Sequence, residues 1–363
     1  GSDDGVGIHV NEVPILYPRL FETEYYDVEQ VAILRGPQGT LYGRNSTGGA
    51  VNMITKTAET GVPGGYVEGQ YGNYEHTQLE GALNMPLGEQ FAARIAGISL
   101  QRDGYTENIH TGDDVDDRDQ YSVRGSLRWA PTDETTVDLM ASYFEEDSSR
   151  TRSQKQMCHN DPGAVLGCLP DRLAFETVNP LAQLTGMLPS RLSAFAPTPA
   201  LTNAPSENPR DMRKVNMDFE PVYEADETLV TLRLEHEFER YSFVALAGYQ
   251  DTAVLSQQDY NNNVGATVSP SPLLRGVFPV TWATYFADGC LPISAPSASG
   301  NGIIGGHSGG CNNSLDGYDQ SNQETDQASF EAHIASNYDG ALNFFAGAFY
   351  MEADNFNEYY VIA

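Results

Sequence analysis

The sequence predicts an all-β transmembrane barrel. It is partial, about nine antiparallel strands of a larger barrel, with a small mixed α/β segment in its lumen. Three observations predict this class. From about residue 64 onward, apolar and polar residues alternate with period two over long runs, the mark of strands with two unlike faces. The connections between those runs alternate between short and very long. No apolar run approaches the roughly 20 residues a membrane helix needs, while the chain is rich in Gly (35) and Tyr (20) and holds only two Trp.

Residues 1–62 read as a compact mixed segment of short strands and Gly turns. Val31-Ala32-Ile33-Leu34 is expected to be a buried strand, and Val51-Asn52-Met53-Ile54 a second one. Gly36-Pro37 forces a turn, because Pro fixes φ and crowds any larger residue before it. Gly43, Gly48 and Gly49 supply turn conformations or close backbone approach. The unit is small and tied directly to the strands that follow, so a place inside the lumen is expected.

Nine strands follow, at about 65–72, 75–86, 90–103, 119–130, 135–148, 227–238, 241–257, 324–338 and 341–357. The clearest is Tyr121-Ser122-Val123-Arg124-Gly125-Ser126-Leu127-Arg128-Trp129. Tyr121, Val123, Leu127 and Trp129 share one face; Ser122, Arg124, Ser126 and Arg128 share the other. That pattern suits lipid outside and water inside. Residues 86–89, 130–134, 239–240 and Asp339-Gly340 read as tight turns. Long loops are expected at about 104–118, 149–226 and 258–323. Short turns at one end and long loops at the other are the habit of outer-membrane barrels. Tyr143, Phe144, Tyr241, Phe243, Tyr249, Tyr338, Tyr350, Tyr359 and Tyr360 read as interfacial girdle.

Nine strands do not close well, since single-chain bacterial barrels have even counts. The sequence also stops in or just after a strand, at Glu358-Tyr359-Tyr360-Val361-Ile362-Ala363. Further strands are therefore expected beyond it.

Lys and Arg total 20 against 50 Asp and Glu, a net charge of −30. That balance argues against a nucleic-acid partner, because neutralising phosphates needs a basic face. The charge also disfavours a small anionic ligand drawn in by the general field, although Arg150, Arg152 and Lys155 make a local basic patch. The four Cys fall as two local pairs, Cys158/Cys168 and Cys290/Cys311, neither spaced CxxC. An oxidising compartment with a disulfide in each pair is expected rather than a zinc site. No secretory signal opens the sequence.

Residues 28–56 carry the most information. They run Val28-Glu29, a short apolar strand, Arg35-Gly36-Pro37, Gly39, Leu41-Tyr42-Gly43, a small-residue loop with Gly48-Gly49, then Val51-Asn52-Met53-Ile54-Thr55-Lys56. The segment closely resembles the C-terminal part of the plug of TonB-dependent outer-membrane receptors. Upstream, Gly7-Ile8-His9-Val10-Asn11-Glu12-Val13 resembles a further plug strand of that family, with Asn11-Glu12 where Asp-Gly is usual. The resemblance implies a C-terminal part of a plug over 1–62 and the N-terminal part of an outer-membrane barrel over 63–363. It implies that Arg35 pairs with barrel-wall glutamates and helps hold the plug. The energy-coupling box and an earlier Arg-Gly element of the family do not occur in this sequence.

What the resemblance implies for function is active import. Outer loops and plug apex capture a scarce solute, a ferric siderophore being the commonest class, and the TonB-ExbB-ExbD complex then draws on the plug. No catalysis and no cofactor are implied, and outer-membrane lipid and lipopolysaccharide are the implied surroundings. A passive porin or a surface-binding adhesin barrel is the alternative. A porin has no separate segment like 28–56 before its first strand.

Three other signals weigh less. Gly306-His307-Ser308-Gly309-Gly310 fits G-x-S-x-G but lacks the strand before and helix after that a nucleophile elbow needs. Asp113, Asp114, Asp116 and Asp117 offer hard oxygens at short spacing, which suits Ca²⁺. They lack the EF-hand order, and a solvated acidic loop is the alternative. The seven His are scattered without HxxxH or HExxH.

Overall fold

The computed structural model describes residues 5–18, 20, 24–39, 46–155, 157–160, 162, 168–176, 208–259, 262, 264, 291–294, 308–312 and 318–362. Two sheets organise them. The first is small: β1 (Val6–Val10), β2 (Val13–Ile15), β3 (Val28–Arg35) and β4 (Gly49–Thr55), in the order β2-β1-β4-β3. β1 and β4 run parallel; the other two pairings are antiparallel. Among the described residues this sheet is the regular structure of the N-terminal segment, and residues 40–45 lie outside them.

The second sheet has nine strands, each paired with its sequence neighbours in a continuous antiparallel meander. They are β5 (Gly64–Tyr71), β6 (Thr77–Pro86), β7 (Phe91–Arg102), β8 (Arg118–Thr132), β9 (Thr135–Ser148), β10 (Val222–Glu237), β11 (Tyr241–Asp259), β12 (Tyr318–Ser336) and β13 (Phe345–Ile362). All nine expected strands are present, and short and long connections alternate as expected. One turn differs. Asp339-Gly340 is not a two-residue reversal; β12 ends at Ser336 and β13 starts at Phe345. Asn343 builds the longer connection, accepting from Tyr338 N at 2.7 Å and donating to Tyr338 O at 3.2 Å. Tyr338 and Phe344 also pack against Tyr241, which a tight hairpin would prevent.

The strand pattern is inverted relative to a soluble sandwich. On β8 the apolar Tyr121, Val123, Leu127 and Trp129 are 43–52% exposed, whereas Arg124 and Ser126 are each 7% exposed. The register continues both faces across the wall: Leu127, Leu139 and Leu232 pair in one outward row, all exposed. Phe91 stacks on Trp129 toward the short-turn end, and Tyr121 and Tyr143 both donate to Glu145 toward the long-loop end. Eight residues separate Trp129 from Tyr121, about 26 Å of strand at 3.3 Å per residue. A tilted strand of that length spans most of an apolar band of about 25 Å. Phe144 departs from the expected girdle. It faces inward at 8% exposure and packs with Leu20 of the N-terminal segment. No helix among the described residues is long and apolar enough to cross a membrane.

The inward face is laid out in tiers fixed by the antiparallel register. One tier reads Ser122, Phe144, Glu227, Thr252, Thr325; the next Arg124, Ser142, Leu229, Gln250, Gln327; the next Arg94, Ser126, Met140, Thr231, Gly248, Ser329; the last Arg128, Asp138, Arg233. The small sheet lies against this polar face. One strand differs from expectation: β3 is an exposed edge rather than a buried strand, with Val31 at 51% and Ile33 at 69% exposure. The reason is its place at the end of the sheet order, beyond β4.

Candidate functional site: the junction between plug and wall

The small sheet is fastened to the wall at points that alternate between charge, backbone and packing. The β1–β2 hairpin turns on Asn11 and Glu12, both left-handed (φ 49° and 68°). Such a two-residue turn matches the twist of its strands but strains a non-Gly residue. Here the strain is held by contacts. Asn11 Oδ1 accepts from Thr55 N at 2.9 Å, and Asn11 Nδ2 donates to Thr231 of the wall at 3.4 Å. Glu12 N donates to Asn52 Oδ1 at 3.2 Å, while wall Arg233 Nε donates to Glu12 Oε2 at 3.1 Å.

Further along, Val13 presses on the wall where there is no side chain. A Cβ placed on Gly248 would stand 2.2 Å from Val13 Cγ1. The wall residue Gln327, 2% exposed, then treats the end of β2 as one more strand edge. Leu16 N donates to Gln327 Oε1 at 2.9 Å, and Gln327 Nε2 donates to Pro14 O.

The most buried fastening is ionic. Asp27 has a fully buried side chain and a left-handed backbone (φ 50°). Arg94 Nε donates to Asp27 Oδ2 at 2.8 Å, and Arg94 Nη2 donates to Asp27 Oδ1. Arg124 stands behind, 3.6 Å from the same carboxylate, and donates to the carbonyls of Tyr26 and Asp27 at 2.9 Å each. Its guanidinium also lies 4.6 Å from the Tyr26 ring centroid, and Tyr26 Oη shares a 2.8 Å hydrogen bond with Ser122. Burial raises the Tyr26 pKa above its ordinary value. A guanidinium suits this place because its donors form a rigid fork that matches a carboxylate.

Where the chain leaves the small sheet for the wall, Asn84 clamps it. Its amide donates to Glu59 O at 2.9 Å and Val62 O at 2.7 Å, and Glu59 N donates back to Asn84 Oδ1 at 3.0 Å. Below the hairpin the two sheets part around a cavity of about 490 Å³ lined by Glu12, Glu29, Glu59, Arg128, Asp138 and Arg233, among others. Arg128 and Asp138 pair bidentately there at 2.7 and 2.8 Å.

Residues 1–50 match the family described as TonB-dependent Receptor Plug Domain. The chain is thus similar to the plug and wall of TonB-dependent receptors. The pesticin receptor of Yersinia enterocolitica is 33% identical over 133 residues, covering 36% of this chain and 19% of that protein. The ferric enterobactin receptor of Pseudomonas aeruginosa is 27% identical over 172 residues, covering 41% of this chain and 23% of that protein. Among solved structures, the ferric yersiniabactin uptake receptor FyuA from Yersinia pestis shares the fold at TM-score 0.60 and 17% identity, over 98% of this chain and 41% of that one. The chain thus spans less than half the length of each of these three.

The signature residues take these places in the plug. Gly36 has φ +84° just past β3, Gly49 opens β4, and Asn52 on β4 is 3% exposed and bonds the hairpin turn. Pro37 and Gly39 follow the β3 turn, Gly48 N donates to Gly5 O at 2.6 Å, and Leu41, Tyr42 and Gly43 lie outside the described residues. Arg35 is exposed at the end of β3, and its carbonyl accepts from Gln38 Nε2 at 3.4 Å. Cys158 is disulfide-bonded. Cys168 and Cys311 are described by backbone alone, each in a short strand, and Cys290 lies outside the described residues with Gly306 and His307.

The acidic run does not form a cation site. Asp116 Oδ1 accepts from Thr151 N at 3.0 Å and Thr151 Oγ1 at 2.7 Å, while its Oδ2 accepts from Thr106 Oγ1 at 2.8 Å and from Gln154. Asp117 Oδ1 accepts from Ser149. Asp113 and Asp114 point to solvent, and no group of three or more His, Cys, Asp or Glu among the described residues is arranged to hold a metal. Asp116 and Asp117 instead brace a small outer sheet of Thr106–Asn108, Asp114–Val115 and Lys214–Val215 over buried Val115, Val215 and Met217. The basic patch is similarly occupied. Arg150 pairs with Glu146, Arg152 with Asp319, and Lys155 donates to the carbonyls of Pro209, Asp211 and Lys214.

The sequence reading missed Asp27, Arg94, Gly248, Gln327 and Asn84 as junction residues. Arg124 and Arg128 were legible as inward-facing, because they lie on the polar face of a strand whose other face is apolar. Nothing in the sequence marks Asp27 as their partner.

Proposed function

We propose that the complete receptor sits in the bacterial outer membrane and imports a scarce solute by TonB-dependent active transport, with a ferric siderophore as the substrate class. The plug's seat against the polar wall carries this reading: a stopper fastened to the lumen at several polar points serves a gated conduit rather than an open pore. The relatives whose names specify a cargo include receptors for ferric enterobactin and ferrioxamine B. On this reading 1–62 is the C-terminal part of the plug and 63–363 the N-terminal part of the barrel. TonB-ExbB-ExbD engages a box upstream of the plug, lipid and lipopolysaccharide surround the wall, and no covalent chemistry is required. Arg35, exposed at the tip of β3, offers its charge to wall glutamates on further strands.

The test is growth rescue and radioiron uptake by the full-length receptor in a receptor-deficient strain, against a panel of ferric siderophores. Uptake that depends on TonB is expected for at least one of them. Permeation that persists without TonB would point to a passive pore and overturn the reading.

A further inference from the structure

One polar group on the lumen wall is not used by the junction. Gln250 is 2% exposed; its Nε2 donates to Glu227 Oε2 at 2.6 Å, while its Oε1 has no hydrogen-bond partner. The remaining described donor to Glu227 is the Thr252 hydroxyl at 3.4 Å. Both donors are neutral. Glu227 and Gln250 line a cavity of about 80 Å³ between wall and plug, and the plug's Glu24 and the wall's Ser142 line it as well.

Arg124 also borders this cavity, but its guanidinium is committed to the Tyr26 and Asp27 carbonyls and the Asp27 carboxylate. It does not serve as counter-ion to Glu227. A buried amide oxygen without a donor is costly, and so is a carboxylate served only by neutral groups. A proton on Glu227 would answer the charge and leave the amide oxygen bare, and water would do the reverse. A cation answers both.

We propose that Glu24, Glu227 and Gln250 Oε1 hold a Ca²⁺ ion between plug and wall, with lumen water completing its shell. The donor set is all hard oxygen, the type Ca²⁺ takes in flexible six- to eight-fold geometry. Mg²⁺ fits less well, because it demands near-ideal octahedral geometry and gives up its waters reluctantly. One carboxylate comes from the plug and the other from the wall, so the ion ties the two together. Its loss loosens the plug without breaking any contact described at the junction.

The experiment uses the purified full-length receptor in detergent, with Tb³⁺ as a luminescent stand-in for Ca²⁺. Tyr25 and Tyr26 line the same cavity and sensitise Tb³⁺ bound there. Tyrosine-sensitised luminescence that Ca²⁺ displaces is expected, and Glu24→Gln and Gln250→Leu should each weaken it at least about tenfold, since even the outer-shell partners of a metal cost that much when lost. Glu24 is exposed, so its variant folds. Gln250→Glu adds a second carboxylate beside Glu227; it should tighten Ca²⁺ binding and make the melting temperature depend more steeply on Ca²⁺. Luminescence unchanged in Glu24→Gln and Gln250→Leu overturns the proposal. So does a Gln250→Glu receptor whose stability follows pH and ignores Ca²⁺, which would mean that a proton fills the site. The readout is binding rather than transport, so it can fail while the import reading stands.

Discussion

Arg94 of the barrel wall grips Asp27 of the plug through both carboxylate oxygens, in a place where the Asp27 side chain has no exposed surface. Arg124 closes the same pocket from the neighbouring tier. The arrangement concentrates the plug's buried electrostatic attachment at one residue, the Glu12–Arg233 pair being partly exposed. Removing one member of a buried pair leaves the other charge unanswered, at about 3–5 kcal/mol. Asp27→Asn keeps the volume and tolerates the left-handed backbone, so it isolates the charge. A loss of about 3 kcal/mol in plug attachment is expected, read as a lower melting temperature and faster proteolysis of the plug in the purified receptor. An Asp27→Asn receptor as resistant as the parent would show that the two arginines are satisfied by other groups.

Gly248 gives the second prediction. Its missing side chain is the space into which Val13 packs, and a Cβ there would overlap Val13 Cγ1. Gly248→Ala should cost about 1–3 kcal/mol, the usual range for overpacking. Val13→Ala should restore most of that loss in the double variant, because the two residues share one space. Urea titration of all four receptors measures the coupling. Strictly additive effects would place the clash elsewhere.

The wall was legible in the sequence because its code has period two and its register repeats it on every strand. Tyr121 to Trp129 alone shows an apolar face and a polar face, and the structure turns them outward and inward. The plug was legible through Gly36, Pro37, Gly48 and Gly49, whose conformations or close approaches few other residues tolerate. The seat of the plug was not legible. Asp27, Arg94 and Arg124 are distant in sequence, and their meeting depends on how a separate sheet docks on the wall. Phe144 misled for the same reason: an aromatic near a strand end looks interfacial until Leu20 is found packed on its lumen side. The exposure of Val31 and Ile33 follows from sheet order, with β3 outermost, and an apolar run of four residues carries no information about that order.

Glu12 occupies a left-handed turn position that a glycine would adopt without strain. Glu12→Gly relieves about 1 kcal/mol of backbone strain and gives up an ion pair with Arg233 whose partners are 41% and 30% exposed. A half-exposed pair contributes about 0–1 kcal/mol, so the substitution should be close to neutral in stability. Glu12→Ala keeps the strain and loses the pair, and should be the less stable of the two. Equilibrium unfolding ranks them; an alanine variant as stable as the glycine variant would mean that the turn is not strained.

The last prediction concerns the outer loops. Cys158 is disulfide-bonded, and the adjoining backbone folds back on itself, with Asn160 opposite Cys168 and His159 opposite Leu169. Pro292 lies opposite Cys311 in the same way, two residues after Cys290. Cys158 and Cys168 thus flank one local hairpin and Cys311 lies in another, and the expected bonds are Cys158–Cys168 and Cys290–Cys311. Closing a loop of about ten residues constrains the unfolded chain by roughly 3 kcal/mol in the chain-entropy model. Reduction should accordingly loosen the outer loops while leaving the wall intact, since the wall depends on register and not on sulfur. Non-reducing peptide mapping checks the pairing and hydrogen exchange checks the loosening. Crossed bonds between the two pairs would mean that the long loops after β9 and β11 are stapled to each other instead of to themselves.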